Sequence, residues 1–271
     1  MTPRTGAVDT PWDNPRMPDD SVEWQKILTE GHTSMRVARH FWRHVPSSPR
    51  CKVCANPFGG VGGRVLKTVG WAPSRKNPNV CSRCCDQLPP GGAEVDVAVL
   101  FADVRGSTSL GEQRSASDYA ALLGRFYSTA TEVLLRHDAL IDKLIGDEAM
   151  ALFIPGVAGP DYRERSLAAA LELLEAVGYG APEGPWLPVG IGLNAGSAFV
   201  GNVGSTVVDF TALGDAVNVA ARLQGQAAGG EVVVAADLLE DLGGRLPGAE
   251  QRSVEASGRE QLVPVLVASR A

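Results

Sequence analysis

The sequence predicts a mixed α/β (α+β) domain of about 175 residues, preceded by a small cysteine-rich module. Three observations favour this fold class. Strand-like and helix-like patterns alternate from residue 95 onward, all five cysteines lie before residue 86, and a Pro/Gly-rich stretch at 87–93 separates the two parts. A chain of 271 residues has room for one such domain and one small module.

The elements of the larger part follow one another in a regular order. Short apolar runs predict strands near 95–103, 140–145, 149–154, 187–211, 231–235 and 262–268. Apolar residues at helical spacing predict helices near 117–136, 161–178 and 215–226. We find no internal repeat.

Two aspartates stand where predicted strands end. Asp103 closes the run Val-Asp-Val-Ala-Val-Leu-Phe-Ala-Asp, and Asp147 lies in the turn of Lys-Leu-Ile-Gly-Asp. Two carboxylates that meet at one edge of a sheet would supply the hard oxygen ligands of a two-metal phosphoryl-transfer site. Taken singly, each aspartate is equally explained as a helix cap or an ordinary hairpin turn.

A turn of small residues follows the first aspartate and leads into the first long helix. Gly106, Ser107 and Thr108 form this turn. Its backbone N–H groups would suit a polyphosphate that is bridged to metal at the neighbouring carboxylate. The turn and Asp103 therefore support the same interpretation.

A second polar group lies on the helix predicted at 215–226. Asn218 and Arg222 are four residues apart, so they share one face, while Val217, Ala220 and Leu223 can pack on the other. An isolated Asn or Arg on a helix is usually solvated surface. An aligned pair behind a strand and a tight turn can also face a ligand, and Arg carries a permanent charge for a phosphate.

These segments resemble the class III adenylate and guanylate cyclases. Four motifs carry the resemblance in the expected order: Leu-Phe-Ala-Asp103-Val-Arg-Gly-Ser-Thr-Ser, Lys143-Leu-Ile-Gly-Asp147, Gly190-Ile-Gly-Leu-Asn-Ala-Gly196 and Leu-Gly-Asp-Ala-Val-Asn218-Val-Ala-Ala-Arg222. The resemblance covers about 95–269. It implies a ferredoxin-like βαββαβ core, two Mg²⁺ or Mn²⁺ ions in each active site, and conversion of ATP to 3′,5′-cyclic AMP and pyrophosphate.

The resemblance also implies roles for residues near the metal and the base. Asp103 and Asp147 match the two metal-binding aspartates, and the carbonyl of Val104 matches a backbone metal ligand. Lys143 matches the lysine that recognises the base. Thr211 falls where many adenylate cyclases have Asp and where the branch called IIIb has Thr.

Three further residues are matched to the sugar and the phosphates. Asn218 matches the residue that orients the ribose, and Arg222 matches the arginine that stabilises charge on the α-phosphate in the transition state. Arg259 is matched to a basic residue at the terminal phosphates. In such enzymes the metal pair would bind the triphosphate and activate the ribose 3′-hydroxyl.

The choice of base follows from hydrogen-bond chemistry. Adenine presents an acceptor at N1 and a donor at its amino group, which complement the Lys143 ammonium and the Thr211 oxygen. Guanine presents donors to the lysine, and each group left unpaired costs about 1–3 kcal/mol, so we expect ATP as substrate. A threonine hydroxyl both donates and accepts, so guanylate cyclase activity stays an alternative, as does a catalytically weak nucleotide-sensing homologue.

The resemblance implies a homodimer with two composite sites. One subunit would provide Asp103 and Asp147, and the other Lys143, Thr211 and the polar pair of the 215–226 helix. The net charge of −6 argues against a nucleic-acid partner. The sequence contains no run of about 18 apolar residues, so we expect no membrane span. We expect a cytoplasmic protein.

The first ninety residues form a separate region. We expect disorder at 1–20, a helical and metal-binding module at 21–88 with helices at 21–29 and 33–45, a linker at 89–94 and the catalytic domain at 95–271. His40 and His44, four residues apart in the second helix, are more typical of surface or packing histidines than of metal ligands.

Two Cys-x-x-Cys pairs favour a tetrathiolate site on Cys51, Cys54, Cys81 and Cys84. Structural Zn²⁺ is the first interpretation, an iron–sulfur cluster the second, and metal-free thiols or disulfides the third. Cys85 could replace Cys84 as the fourth ligand. A metal module so close to a composite site suggests regulation through dimer geometry, although the module could also serve only stability or dimerisation.

Overall fold

The computed structural model describes residues 21–30, 49–68, 71–74, 78–82, 84, 91–204, 209–241, 249–254 and 263–269. The expected disorder at 1–20, the helix at 33–45 with both of its histidines, Cys85 and Arg259 lie outside these residues. The helices are α1 Ser21–Glu30, α2 Gly60–Thr68, α3 Ser107–Glu112, α4 Ala116–Arg136, α5 Pro155–Ala158, α6 Tyr162–Ala176, α7 Asp215–Gln226 and α8 Ala236–Asp241. The strands are β1 Gly91–Val104, β2 Leu140–Ile145, β3 Glu148–Phe153, β4 Val189–Val203, β5 Asp209–Leu213, β6 Glu231–Ala235, β7 Glu250–Val254 and β8 Val263–Ser269.

One mixed sheet organises the described part of the chain, in the order β2-β3-β1-β4-β6-β8-β7. The pairs β1–β3, β1–β4 and β2–β3 are antiparallel, whereas β4 and β6 run parallel. The succession β1-α4-β2-β3-α6-β4, with β1 and β3 in the centre, is the ferredoxin-like βαββαβ core. The expected fold class is confirmed.

Strand β1 lies in the interior of the molecule, and both of its faces are covered. Leu100 and Ala102 face one core, which α4 and α6 complete with side chains such as Phe126 and Leu173. Residues of the opposite parity, among them Val99, face a second core. A strand buried on both faces reads as a continuous apolar run, which is why β1 is so visible in the sequence.

The second core joins the N-terminal part to the sheet. Trp24 of α1 is fully buried there and stacks on Phe210 of β5, with ring centroids 6.4 Å apart. The cysteines at 51, 54, 81 and 84 belong to the same core, as do Ala216 and Ala220 of α7. The described portions of the N-terminal region therefore pack directly on the sheet.

Helix α7 lies unusually close to β4 because β4 carries a glycine at the crossing point. A Cβ on Gly192 would lie 2.1 Å from the backbone nitrogen of Gln224 and 2.4 Å from the carbonyl oxygen of Ala220. Both distances are far below contact, so no other residue fits without moving the helix. Gly192 therefore determines how closely α7, the helix that carries Asn218 and Arg222, packs on the sheet.

The structure corrects the expected linker at 89–94, because β1 begins at Gly91. Gly91 pairs with Asn202 and Gly92 with Gly201. A Cβ on Gly201 would lie 2.3 Å from the carbonyl oxygen of Gly91, so the two backbones approach closely and require glycine. The Gly-Gly pair of the expected linker is therefore part of the central strand.

Other boundaries also differ from those expected. The strands predicted near 187–211 are β4 and β5, which pair antiparallel, and β5 extends two residues beyond that range, to Leu213. The sequence patterns did not reveal α2, α3, α5, α8 or β7, most of which are short. Within the described residues no helix is long and apolar enough to cross a membrane.

Candidate active site

The two strand-end aspartates meet where β1 ends beside the β2–β3 turn. Asp103 pairs with Glu148 in the antiparallel register, and Asp147 lies in the turn itself, directly after Gly146. Gly146 has φ +62°, a conformation that glycine adopts without strain. The backbone N–H of Val104 donates to the carbonyl oxygen of Asp147 at 3.2 Å, which ties the turn to the strand end.

The turn is also held from the helical side. The hydroxyl of Tyr127, on α4, donates to the carbonyl oxygen of Gly146 at 2.5 Å. Leu123 and Phe126 on the same helix pack against or within the first core. The position of Asp147 therefore follows from the packing of α4 as well as from the turn.

Negative charge accumulates at this strand end. Burial raises the pKa of Asp103, and the nearby charge of Asp147 raises it further, while Arg105 opposes the rise. Burial raises the pKa of Glu148 as well, and the charges of Asp103 and Asp147 add to it. The Arg105 guanidinium bonds the Asp103 carboxylate and is the cation at this cluster among the described residues.

Such a group fits divalent metal ions. Burial and neighbouring negative charge raise the pKa values of Asp103 and Glu148, and a multivalent cation beside such carboxylates favours their ionised form. Carboxylate and backbone carbonyl oxygens are also the donors that Mg²⁺ and Mn²⁺ prefer. Asp103, Asp147 and the carbonyl of Val104 offer this donor set at one strand end.

A second polar group surrounds Lys143, with residues from β2 and β5. The ammonium of Lys143 donates to the Thr211 hydroxyl oxygen at 2.8 Å and to Asp142 Oδ2 at 3.0 Å. The Thr211 hydroxyl donates to the same Asp142 oxygen at 3.0 Å. Lys143 also forms an ion pair with Asp209 at 2.9 Å. The Asp142 side chain is 0% exposed, and that of Lys143 is 34% exposed.

The charged side chains of this group affect one another's pKa values. Burial raises the pKa of Asp142, and its hydrogen bond with Lys143 opposes the rise. Desolvation acts to lower the pKa of Lys143, but the bonds and charges of Asp209 and Asp142 outweigh it and raise the pKa. Lys143 is therefore a firmly protonated donor, held in place from three sides.

The contact between Lys143 and Thr211 joins two strands that are not neighbours in the sheet. Lys143 lies on β2 and Thr211 on β5, and three strands separate them in the sheet order. Among the described strands, β5 pairs with the end of β4, at Phe199 to Val203. The hydrogen bonds of Thr211 with Lys143 and Asp142 nevertheless bring β5 against β2.

The polar pair on α7 stands at the surface. Asn218 is exposed and Arg222 half-buried, while Val219 and Leu223 are buried. Neither polar side chain has a hydrogen-bond or ion-pair partner within the described ranges. Val217 is half-buried and packs against the second core, as expected, while Val219 is buried in a third cluster with Leu223.

The structure brings the predicted residues together in three places, the metal end, the base end and α7. Gly106, Ser107 and Thr108 form the turn that opens α3, directly after the metal end, with Gly106 at φ +69°. Sequence reasoning missed Asp142, Asp209 and Glu148. Two of these adjoin motif residues, but only the fold shows that they touch them.

The four cysteines form a closed buried cluster. Cys51, Cys54, Cys81 and Cys84 are all buried, and their sulfur atoms lie within 4.8 Å of one another. The sulfurs of Cys54 and Cys81 are 3.8 Å apart. Hydrogen bonding from Cys54 lowers the pKa of the Cys51 thiol, and hydrogen bonding to Cys51 raises the pKa of Cys54.

This cluster fits a single tetrahedral metal ion. With metal–sulfur bonds of about 2.3 Å, a tetrahedral site has sulfur atoms about 3.8 Å apart. Backbone N–H groups of residues 81 and 84 point at the sulfurs of Cys51 and Cys81, at 3.3 and 3.4 Å. Such bonds stabilise thiolates, as they do in Cys-x-x-Cys metal knuckles.

The cysteine cluster docks beside the start of β2. Lys52 forms an ion pair with Asp138 at 2.6 Å, and Arg165 pairs with the other oxygen of the same carboxylate at 2.9 Å. The Asn79 amide donates to the carbonyl oxygen of Leu135 at 2.9 Å. Asp138 is two residues before β2, the strand that carries Asp142 and Lys143.

A ferredoxin-like sheet with carboxylates at one strand end and a lysine–threonine pair beside it is the architecture of class III nucleotidyl cyclase domains. The model of the adenylate and guanylate cyclase catalytic domain matches residues 92–264, more than half of the chain, and the chain belongs to that family.

Individual relatives agree with this assignment. The uncharacterised protein Rv1319c of Mycobacterium tuberculosis is 35% identical over 164 residues, and the match spans 60% of this chain but only 28% of that protein. The guanylyl cyclase Cya2 is 28% identical, with a TM-score of 0.60, over 67% of this chain and 95% of that one. The adenylyl cyclase CyaB from P. aeruginosa is 24% identical and shares the fold, with a TM-score of 0.56, over 66% and 96% of the two chains.

Proposed function

We propose that this chain is an adenylate cyclase, which converts ATP to 3′,5′-cyclic AMP and pyrophosphate at sites shared between two copies of the chain. The observation that carries the choice of ATP is the 2.8 Å contact between the Lys143 ammonium and the Thr211 hydroxyl. A fixed donor beside an oxygen acceptor complements N1 and the amino group of adenine. Guanine would place donors against the lysine.

Two divalent ions, Mg²⁺ or Mn²⁺, belong to each proposed site. Asp103, Asp147 and the Val104 carbonyl would hold them, because these groups form the oxygen-rich strand end described above. When bound, the ions supply positive charge to the triphosphate and favour ionisation of the ribose 3′-hydroxyl. The turn at 106–108 would lie along the polyphosphate.

The remaining proposed roles fall to the chain's own side chains. Asn218 hydrogen-bonds and orients the ribose, so that the 3′-hydroxyl lies in line with the α-phosphorus. Arg222 places its guanidinium on the α-phosphate oxygens, where negative charge develops as the bond to pyrophosphate breaks. Both side chains lack partners within the described structure, which suits groups that wait for a ligand.

A second copy of the chain is the proposed partner. Apolar side chains are exposed on the two strands that carry the base group and on the strand that pairs with β5: Leu144 and Ile145 on β2, Leu213 on β5 and Val203 on β4. Ile145 is 62% exposed and lies two residues from both Lys143 and Asp147. Exposed apolar residues that border a polar site are typical of an interface. A symmetric dimer would cover them and bring the metal end of one copy to the base end of the other.

The cysteine module is the proposed control element. We assign it one structural Zn²⁺, because four sulfurs within 4.8 Å fit one ion, whereas a multi-iron cluster needs its thiolates further apart. Its contacts at Asp138 lie immediately before β2. Movement of the module would therefore be transmitted to Asp142 and Lys143 and change the shared site.

The direct test is to incubate the purified full chain with ATP or GTP and Mn²⁺, and to identify the products by mass. We expect cyclic AMP and pyrophosphate, with kcat/KM at least about tenfold higher for ATP than for GTP. A preference for GTP would make the chain a guanylate cyclase. No cyclic product from either nucleotide would leave a nucleotide-binding protein on a cyclase fold.

A further inference from the structure

Thr211 differs from the carboxylate of many adenylate cyclases in one chemical respect. A hydroxyl has one proton to donate and two lone pairs to accept. It can therefore pair with the amino group of adenine or with the 6-oxo group of guanine and hypoxanthine. Unless something fixes its proton, Thr211 discriminates poorly at position 6 of the purine.

The surroundings of Thr211 fix that proton. An ammonium has no acceptor, so the Lys143 contact at 2.8 Å must use a lone pair of the Thr211 oxygen. Asp142 Oδ2, 3.0 Å from the Thr211 oxygen, can only accept when ionised. The Lys143 ammonium at 3.0 Å favours that ionised form. The single Thr211 proton therefore points to Asp142.

We propose that Asp142 is a specificity-determining positioning residue, which holds the Thr211 hydroxyl as a pure acceptor toward the 6-amino group of the base. One lone pair of Thr211 then remains for the nucleotide, and that lone pair accepts but never donates. A 6-amino group is bound, and a 6-oxo group meets an oxygen. The inference rests on the proposed use of ATP and concerns the same pocket.

The burial of Asp142 supports a role beyond stability. Its side chain is 0% exposed, and among the described residues its second oxygen, Oδ1, has no hydrogen-bond partner. A buried carboxylate with an unsatisfied oxygen is a poor way to stabilise a fold, and an apolar residue of similar size often serves as well. The contribution of the Asp142 carboxylate is therefore its contacts with Thr211 and Lys143 and not the stability of the fold.

Asp209 provides a matched comparison. It pairs with Lys143 at 2.9 Å, as Asp142 does, but its side chain is 41% exposed. Lys143 has three N–H donors, and Asp142, Thr211 and Asp209 engage them. Adenine N1 would take the place of Asp209, the most exposed partner. Asp142 stays bound to Thr211.

The experiment compares ATP with inosine triphosphate, which carries a 6-oxo group and lacks the 2-amino group of guanine. In the full chain, Asp142→Leu removes the acceptor at nearly constant size, and Asp142→Asn removes the charge but keeps one acceptor oxygen. Asp209→Asn removes a carboxylate from Lys143 alone. The selectivity is measured as the ratio of kcat/KM values and, independently of turnover, as the ratio of dissociation constants.

We expect Asp142→Leu to reduce the preference for ATP about tenfold, and Asp142→Asn and Asp209→Asn to retain it. Thr211→Val should lose the same selectivity, and Asp142→Leu added to Thr211→Val should change it no further. Asp142→Ala makes the same test if the leucine variant does not fold. An unchanged ratio in a folded Asp142→Leu or Asp142→Ala variant would overturn the proposal, as would an equal loss in Asp142→Asn. If the wild type forms no cyclic product, the proposed activity fails, whereas the dissociation constants still decide the role of Asp142.

Discussion

At the scale of single residues, the molecule separates two kinds of charge. Asp103 and Asp147 gather negative charge at a strand end, and burial there raises the pKa of Asp103. Lys143 holds positive charge among carboxylates that raise its pKa. A metal-bound triphosphate and a purine need these different environments, and the chain provides one at Asp103 and Asp147 and the other around Lys143.

The metal assignment gives a prediction at this scale. Asp103→Asn and Asp147→Asn each remove a ligand charge and should lower kcat about 100-fold or more while the protein stays folded. Activity with Mn²⁺ and a circular dichroism spectrum check both statements. Asp96→Asn is the matched control, because Asp96 lies on the same strand but pairs with Arg163 at the surface. We expect its activity within about twofold of wild type, and full activity in a folded Asp103→Asn variant would refute the metal site.

At the scale of elements, the sequence predicted the strands that are buried on both faces and the longer helices, because their apolar patterns are strong. It also predicted that Asp103 and Asp147 share one edge. It could not predict that Thr211 meets Asp142, because these residues lie on β5 and β2, which are not neighbours in the sheet. Nor could it show that the glycines at 91 and 92 lie in a strand, because glycine has no side chain to reveal burial.

The closeness of α7 and β4 gives a second prediction. Gly192→Ala should lower the free energy of unfolding by about 1–3 kcal/mol, because its Cβ overlaps the backbone of α7. Urea unfolding measures the change. Gly124→Ala serves as control, since Gly124 is an exposed residue of α4 with nothing within 4 Å of a Cβ. There alanine should stabilise by up to about 1 kcal/mol, and equal effects at both sites would contradict the packing argument.

The cysteine module gives a third prediction. Elemental analysis should find about one zinc per chain, and Cys54→Ser should lose the metal and lower the cyclase activity. Cys85→Ser should keep the metal, because Cys84 completes the group of four sulfurs. Iron together with acid-labile sulfide would overturn the zinc assignment. Unchanged activity in metal-free Cys54→Ser protein would remove the support for regulation by this module.

At the scale of the whole molecule, the parts form one assembly rather than a catalytic domain with an independent appendage. Trp24 stacks on Phe210, the neighbour of Thr211, and the cysteine cluster packs in the same core. The exposed apolar residues of β2, β4 and β5 form a separate group on the catalytic sheet: Leu144, Ile145, Val203 and Leu213. A dimer through this surface would place each base group against the metal end of the partner.

The central claim is that two copies of the chain share each active site. Asp103→Ala and Arg222→Ala should each be inactive alone. The first variant lacks a metal ligand, and the second lacks the guanidinium that stabilises negative charge on the α-phosphate. The decisive measurement is the cyclase activity of the two variants after they are mixed and their subunits exchange. Subunit exchange is verified by size-exclusion chromatography, with one variant carrying a tag that makes mixed dimers distinguishable by size. Half of the dimers would then be mixed, each with one intact site, so about a quarter of the wild-type activity should return. If exchange is complete and no activity returns, the shared-site account is wrong.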